Sequence, residues 1–370
     1  MELRVRKPPS LVPSFSLTSD ILSFDKCGLQ YRYHAVGRLP ASRPVQMWFG
    51  QFLHGVLEEA YRRYRDQGHI VNGSELKDVR RIVASRLQAQ NLYPRSRDVE
   101  ELGQARASTA VEVLGPDLFP LIAQAEVRLT STRPLPRQPG HDLPSRYQVA
   151  GIVDVITQVQ LNDPTLSGNR ILGAVREVLP PGLSGEYEVI VDYKGMRRPP
   201  DVGGDSIYDW QLRTYAHLRS RQPDARPVVA GILLYLNELH PTITDLRDLA
   251  GEVARRETDI LPSAASDQDL LARRRIEVDE PENALTAEYR FARAMRTIPI
   301  QSGSVRESLE RFDNFAAQIE TARAMERETG DIQDSWPAKK EERTCVACDF
   351  RPGCPAHPSE QGPRLPSARR

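Results

Sequence analysis

Two apolar, β-like runs in the middle of the chain each deliver an acidic residue to one region. The first, Tyr147–Ile156, carries Asp154 among β-branched residues, and the second ends at Asp192-Tyr193-Lys194. Because successive side chains of a strand alternate between faces, Asp192 and Lys194 point the same way and Tyr193 points opposite. If the two strands pair, two carboxylates and an ammonium group share one patch. Such a patch suits a hard divalent cation with oxygen ligands, with the lysine placed beside it to stabilise negative charge or orient water.

An alternative is that both aspartates are ordinary strand-end residues and that Asp192 and Lys194 form a same-face ion pair. Short motifs of this kind often occur by chance. The surroundings favour the functional interpretation, since Gly151 precedes Asp154 by three residues, and Gln211 and Tyr215 lie one turn apart on a following helix. The order G-x-x-D, D-x-K and Q-x-x-x-Y resembles the RecB-like branch of the PD-(D/E)XK nuclease superfamily.

The resemblance implies a set of site residues. His54, in the segment Gly50-Gln-Phe-Leu-His54-Gly, is similar to the first motif of RecB-like nucleases, although by pattern alone it is equally a core or rim residue of its helix. Glu126 stands where these nucleases often carry a supporting glutamate, and a surface strand glutamate is the alternative. The implied catalytic residues are Asp154, Asp192, Lys194, Gln211 and Tyr215; the implied ligands of Mg²⁺ or Mn²⁺ are His54, Asp154, Asp192 and the backbone carbonyl of Tyr193.

The pattern along the chain predicts an α/β fold. Apolar residues recur with helical period from Met47 to Arg65, residues 74–120 and 245–330 are expected to be largely helical, and Val228–Leu236 predicts a strand buried on both faces. A long hairpin loop, rich in Pro and Gly, is expected near Leu161–Gly185 between the two acidic strands. The resemblance implies a restriction-endonuclease-like mixed sheet flanked by helices.

This fold is expected to form one nuclease domain over residues 14–355. Its parts are an N-terminal helical region at 14–120, a catalytic core at 121–240 and a C-terminal region at 241–355. The Pro/Ser/Arg-rich tail at 356–370 is expected to be disordered.

The four cysteines indicate a second metal centre. Cys345 and Cys348 have C-x-x-C spacing, Cys354 follows closely, and Cys27 lies near the other end of the chain. Four thiolates suit tetrahedral zinc or an iron–sulfur cluster, and the spacing does not decide between them. The pattern resembles the iron–sulfur version of the RecB-like fold, found in AddB-type nucleases and CRISPR-associated RecB-like exonucleases. It implies a [4Fe–4S] cluster that joins the N- and C-terminal regions.

The resemblance implies a metal-dependent DNA nuclease, an exonuclease on single-stranded DNA or DNA ends in repair, recombination or antiviral defence. Arg197 and Arg198, which follow Lys194, are expected to help orient the strand. The sequence has no G-x-x-x-x-G-K-[ST] loop, so unwinding would need a separate helicase or a defence-complex subunit. The alternative function is a catalytically silent DNA-binding scaffold with the same fold.

Composition adds limits to these expectations. Basic and acidic residues balance to a net charge of +0, so DNA contacts must come from local patches. No long apolar run or signal-peptide core occurs, which predicts a cytoplasmic protein without a membrane segment.

Overall fold

The structure is a computed structural model that describes residues 12–39, 46–183, 185–200, 206–340, 342–346 and 348–357. The strands are β1 Ser14–Ser16, β2 Ile122–Pro134, β3 Arg146–Gln160, β4 Glu186–Lys194, β5 Val228–Tyr235 and β6 Met295–Pro299. The helices are α1 Leu22–Lys26, α2 Gly28–Tyr31, α3 Gln46–Gln67, α4 Gly73–Ala89, α5 Arg97–Leu118, α6 Arg170–Val178, α7 Ile207–Ser220, α8 Ile243–Arg255, α9 Ala265–Leu271, α10 Ala287–Ala294, α11 Ser302–Thr329, α12 Ile332–Ser335 and α13 Glu342–Val346.

The strands form one mixed sheet in the order β1-β3-β4-β5-β6, with β2 paired to β3. The β1–β3 and β4–β5 pairs are parallel, whereas the β2–β3, β3–β4 and β5–β6 pairs are antiparallel. Parallel neighbours need a crossover, and α7 supplies it between β4 and β5. The predicted mixed α/β sheet flanked by helices is therefore confirmed.

Two hydrophobic clusters cover the two faces of the sheet. The first cluster packs α3, α4, α5 and α6 against the odd-numbered positions Val189, Val191 and Tyr193 of β4. The second packs α7, α11 and the N-terminal segment against the other face, which includes Ile190 of β4 and Leu233 of β5. Because Asp192 and Lys194 have even numbers, their side chains share the face of Ile190, which α7 covers.

Several elements differ from the sequence-based expectations. The connection between β3 and β4, predicted as a long hairpin loop, contains the helix α6, whose Ile171, Leu172 and Val175 are buried. The largely helical region 245–330 also supplies β6, which lies beside β5. Helices α8 to α10 have a small core of their own, around Leu246, Leu270 and Tyr289. The structures of α6 and β6 depend on burial against other elements of the fold, which the local sequence pattern does not show.

Two predictions concern the ends and the membrane. The tail predicted at 356–370 lies outside the described residues from position 358 onward. In the described part of the chain, every helix is too short or too polar to cross a membrane.

Candidate active site

The two aspartates lie on paired strands, at the point where β3 changes its neighbour. Along one edge of β3, β4 pairs with Val155–Gln160 and β1 pairs with Gln148–Ala150. Asp154 lies between these two ladders. Its Oδ2 accepts a hydrogen bond of 2.7 Å from the backbone N–H of Tyr193, so a side chain satisfies a donor of β4 just beyond the ladder. This bond fixes the position of Asp154 relative to the end of β4.

The strand also changes face at Asp154. Val153 and Val155 are two residues apart, which in a regular strand would place them on one face, yet they belong to different core clusters. Opposite, Glu126 of β2 has a left-handed backbone with φ of 52°. Irregularities of this type re-aim side chains near active sites. Here the irregularity brings Glu126 to Asp154.

His54 comes from α3 and bridges the two strands. Its Nδ1 is 3.4 Å from Asp154 Oδ1, and its Nε2 donates to the Tyr193 carbonyl at 3.0 Å. Burial alone would lower the pKa of His54, but the carboxylate of Asp154 outweighs it, and the pKa rises to about 9. A protonated imidazole therefore donates to two of the groups that the sequence predicts as cation ligands.

One group of possible ligand atoms in the described residues can hold a metal ion. It consists of His54, Glu126 and Asp154, whose ligand atoms all lie within 4.8 Å of one another. Glu126 has an exposed side chain. Even so, partial burial of its carboxyl group and the adjacent Asp154 carboxylate raise its pKa to about 7. One imidazole and two carboxylates are a donor set that suits Mg²⁺ or Mn²⁺.

A second set of polar side chains forms a continuous chain on the α7 side of the sheet. Lys194 Nζ lies 2.5 Å from Asp192 Oδ2 and donates to Gln211 Oε1 at 2.8 Å. The Gln211 amide donates to Asp192 Oδ1 and to the Tyr215 hydroxyl, both at 2.9 Å. Burial and the Asp154 charge raise the pKa of Asp192 to about 6, against the opposing effect of Lys194.

Gly151 explains how α7 comes this close to β3. A Cβ at this position would lie 2.7 Å from Cε1 of Tyr215, closer than real Cβ contacts allow. The glycine of the G-x-x-D pattern is therefore needed because the Tyr215 ring occupies the space of a side chain.

The arginines that follow Lys194 are engaged in ion pairs. Arg197 contacts Asp248 at 3.1 Å and Glu252 at 2.9 Å, and Arg198 Nε donates to Asp259 at 2.8 Å. Since their charges are already neutralised by carboxylates, these two side chains do not match the expectation that they orient a strand. These partners are not apparent from the sequence, because all three carboxylates lie on or after α8, far along the chain from Lys194.

Sequence reasoning also missed a neighbour of Lys194. Its ammonium lies 4.5 Å from the centre of the Tyr208 ring, at the start of α7. Burial and the Asp192 charge raise the pKa of Tyr208, so the ring stays neutral. The aromatic face holds the lysine over the site through a cation–π contact.

The four cysteines come from opposite ends of the chain and face a common cavity. All four are free thiols, and together they line one cavity with Gln30, Lys339 and His357. Burial raises the pKa of the Cys348 thiol, and the nearby Cys27 and Cys354 add to this rise. Cys27 and Cys345 are buried, whereas Cys348 and Cys354 are half-buried. Thiols that line a common cavity are candidate ligands for a soft metal centre.

The fold is an α/β fold with one mixed sheet. The acidic group on this sheet is a candidate metal site, and Lys194 lies beside it. The profile of the PD-(D/E)XK nuclease superfamily matches residues 17–165 and 183–355. These ranges cover more than half of the chain, so the chain belongs to this superfamily, which supports nuclease activity. They contain every residue of the candidate site and all four cysteines. No curated protein matches the chain.

Proposed function

We propose that the protein is a metal-dependent DNA nuclease of the RecB-like branch. The observation that carries this proposal is the arrangement of two adjacent groups across β3 and β4. His54, Glu126 and Asp154 form the cation-binding group, and Asp192, Lys194, Gln211 and Tyr215 form a hydrogen-bonded chain next to it.

The cation-binding group fits Mg²⁺ or Mn²⁺ by the chemistry of its donors. A bound divalent ion lowers the pKa of a water molecule and shields the negative phosphate. Asp154 and Glu126 offer carboxylate oxygens, and His54 offers a ring nitrogen once it loses its proton. Asp192 and the Tyr193 carbonyl complete the proposed ligand set.

Lys194 is the proposed electrophilic residue. Its ammonium lies 2.5 Å from Asp192 Oδ2 and donates to the Gln211 carbonyl oxygen at 2.8 Å. Negative charge that develops on a phosphate in the transition state is stabilised by a fixed cation of this kind. Gln211 and Tyr215 act by holding Lys194 and Asp192 in position, since the amide bonds to all three partners.

The proposed substrate is single-stranded DNA or DNA ends, and the proposed mode is exonucleolytic. The order of motifs, which resembles RecB-like exonucleases, supports both points. A process in repair, recombination or antiviral defence fits this activity, with a separate protein supplying any unwinding.

We also propose that the cysteines hold a [4Fe–4S] cluster. The support is the shared cavity of Cys27, Cys345, Cys348 and Cys354 and the resemblance to iron–sulfur nucleases. The cluster would connect the segment around α1 and α2 to the segment after α13. Its role is structural, since the cysteines and the acidic site belong to different parts of the fold.

Hydrolysis of labelled single-stranded and duplex DNA with Mn²⁺ tests the nuclease. We expect cutting by the wild type and a loss of about 100-fold or more in Asp192→Ala and Lys194→Ala, because each removes charge from the reacting region. Lys77→Ala, at an exposed position of α4, is the matched control and retains activity. DNA binding without cutting in the wild type would instead favour the catalytically silent scaffold.

A further inference from the structure

An open cleft lies between α3 and α4 and leads to the cation-binding group. It has a volume of 470 Å³, and His54 and Glu126 form part of its wall. The α3 residues along it, Gly50, His54 and Glu58, recur every four positions and so form one stripe of the helix. The cleft therefore opens onto the group that is proposed to bind the cation.

The cleft is narrow near Gly55, where α3 and α4 are in contact, and open near Gly50. At Gly55, a Cβ would lie only 2.8 Å from Val83 Cγ1, so the helices touch there. At Gly50, one turn before His54, a Cβ would meet no heavy atom within 4 Å. The absence of a side chain at Gly50 leaves the cleft open next to the metal-binding group.

The chemistry of the walls indicates the kind of ligand. Val83 and Leu87 form the apolar floor, and the partly exposed Met47 forms one side. The exposed Gln51 adds an amide group, which both donates and accepts hydrogen bonds. The charges of Arg86 and Glu58 face each other at 4.0 Å, so the wall has little net charge from this pair.

A flat, partly apolar group with donors and acceptors along its edge matches these walls, and a nucleobase has this character. Glutamine amides pair with base edges, and apolar side chains contact base faces. A base in a duplex is covered by its neighbours and its partner, so it reaches such a cleft only when it is unpaired.

We propose that the α3–α4 cleft binds an unpaired nucleobase of the substrate strand, next to the phosphate at the metal site. This inference rests on the proposed nuclease function for the identity of the strand. It makes the cleft the feature that selects single strands over duplexes.

Binding experiments with Ca²⁺ in place of Mn²⁺ separate this inference from catalysis. The probes are a short single-stranded DNA, a strand of equal length made of abasic deoxyribose phosphates, and the matching duplex. The wild type should bind the strand with bases at least about fivefold more tightly than the abasic strand, in line with single-base contacts. Equal affinity for the two strands, or no binding to either, would overturn the proposal.

Gly50→Leu is the decisive variant because its side chain enters open space and fills the cleft. The preference for bases should disappear, whereas affinity for the abasic strand should change little. Gly173→Leu is the matched control, a helical glycine of α6 whose Cβ also meets open space, and it should keep the preference. If the Gly50→Leu protein is folded and still prefers the strand with bases, the proposal that the cleft binds a base is wrong.

The outcome for the proposed nuclease is distinct. A wild type that prefers bases in Ca²⁺ but cuts no DNA in Mn²⁺ would contradict the nuclease and support the cleft. A wild type that cuts DNA but has equal affinity for both strands would support the nuclease and contradict the binding of a base in the cleft.

Discussion

At the scale of single residues, the pKa of His54 is strongly shifted by the acids of the site. Its protonated ring lies between the Asp154 carboxylate and the Tyr193 carbonyl, and its pKa rises to about 9 because of the surrounding acids. A divalent cation that binds His54 must displace this proton. Metal binding therefore releases protons, and it is expected to strengthen as pH rises toward 9.

The raised pKa of His54 predicts a pH-dependent contribution to stability. A group whose pKa is higher in the folded state stabilises the fold fully below its unfolded pKa, and the contribution is lost as pH rises through the folded pKa. In metal-free protein, His54→Gln should therefore lower the free energy of unfolding by about 2 kcal/mol near pH 6. This cost should shrink as pH rises through 9. Urea unfolding across this pH range measures it.

His69→Gln provides the control for this prediction. His69 also lies near a carboxylate, 3.2 Å from Glu75, but both side chains are largely exposed. Its substitution should change stability by less than about 0.5 kcal/mol at every pH. If the cost of His54→Gln were flat from pH 6 to 9.5, the proposed ion pair with Asp154 would be wrong.

At the scale of elements, the site depends on how closely α7 approaches β3. The Tyr215 ring fills the space over Gly151, and the tyrosine hydroxyl accepts a hydrogen bond from Gln211. The same amide holds Asp192. A change in the packing between α7 and β3 therefore reaches the residues around Lys194.

Gly151→Ala is expected to destabilise the protein by about 1–3 kcal/mol through overpacking against Tyr215. It should also reduce nuclease activity, because the displaced ring disturbs Gln211. The measurements are urea unfolding and the rate of DNA hydrolysis. Gly173→Ala, with open space at its Cβ, serves as the control and should be neutral or stabilising.

A double variant tests whether the ring is the obstacle. In a Tyr215→Ala background the clash is absent, so Gly151→Ala should cost clearly less than in the wild type. The same cost in both backgrounds would show that Tyr215 does not explain the glycine.

Ion pairs anchor the segment after β4 to the helices that follow β5. Arg198 donates to Asp259 and to the Met295 carbonyl, and its backbone N–H donates to Glu238. The Arg198 side chain is buried. This network holds the end of β4, which carries Lys194, against α8 to α10.

Arg198→Ala should lower the free energy of unfolding by about 3 kcal/mol, since it removes a buried guanidinium and leaves the partly buried Asp259 carboxylate and the Met295 carbonyl without their partner. Arg255→Ala removes a comparable pair with Glu257 that is exposed, and it should cost less than about 0.5 kcal/mol. Denaturant unfolding compares the two variants. Similar small effects in both would mean that the Arg198 network adds no stability.

At the scale of the whole molecule, the cysteine cavity connects the two ends of the chain. Cys27 lies between α1 and α2, and the other three cysteines lie in and after α13. A metal centre held by both groups would close a loop that includes the whole catalytic core. Because the complete ligand set forms only in the folded chain, such a link adds its binding free energy to the stability of the fold.

We expect anaerobically purified protein to be brown with a broad visible shoulder, and chelation of the metal to lower Tm. Cys27→Ser and Cys345→Ser should each abolish the shoulder and lower Tm by similar amounts. The double variant should add little, because both residues hold one centre. Full metal content in Cys27→Ser, or zinc without iron in the wild type, would contradict the proposed cluster.

The amino-acid sequence by itself determined the two strands that carry the acids, the buried strand β5, helices such as α3 and α7, and the superfamily. These features follow from short-range patterns, since apolar periodicity and motifs such as Gly151-x-x-Asp154 lie within a few residues. The order of motifs also indicated which acids to examine. Local pattern sufficed because each motif sits on a single strand or helix.

Only the tertiary structure decided which charges belong to the site. Arg197 and Arg198 are close to Lys194 in sequence, but carboxylates on and after α8 neutralise them. The left-handed backbone of Glu126 and the cleft beside Gly50 likewise arise from packing between separate elements. Electrostatic partners and open space depend on distances between remote parts of the chain, and sequence spacing does not set those distances.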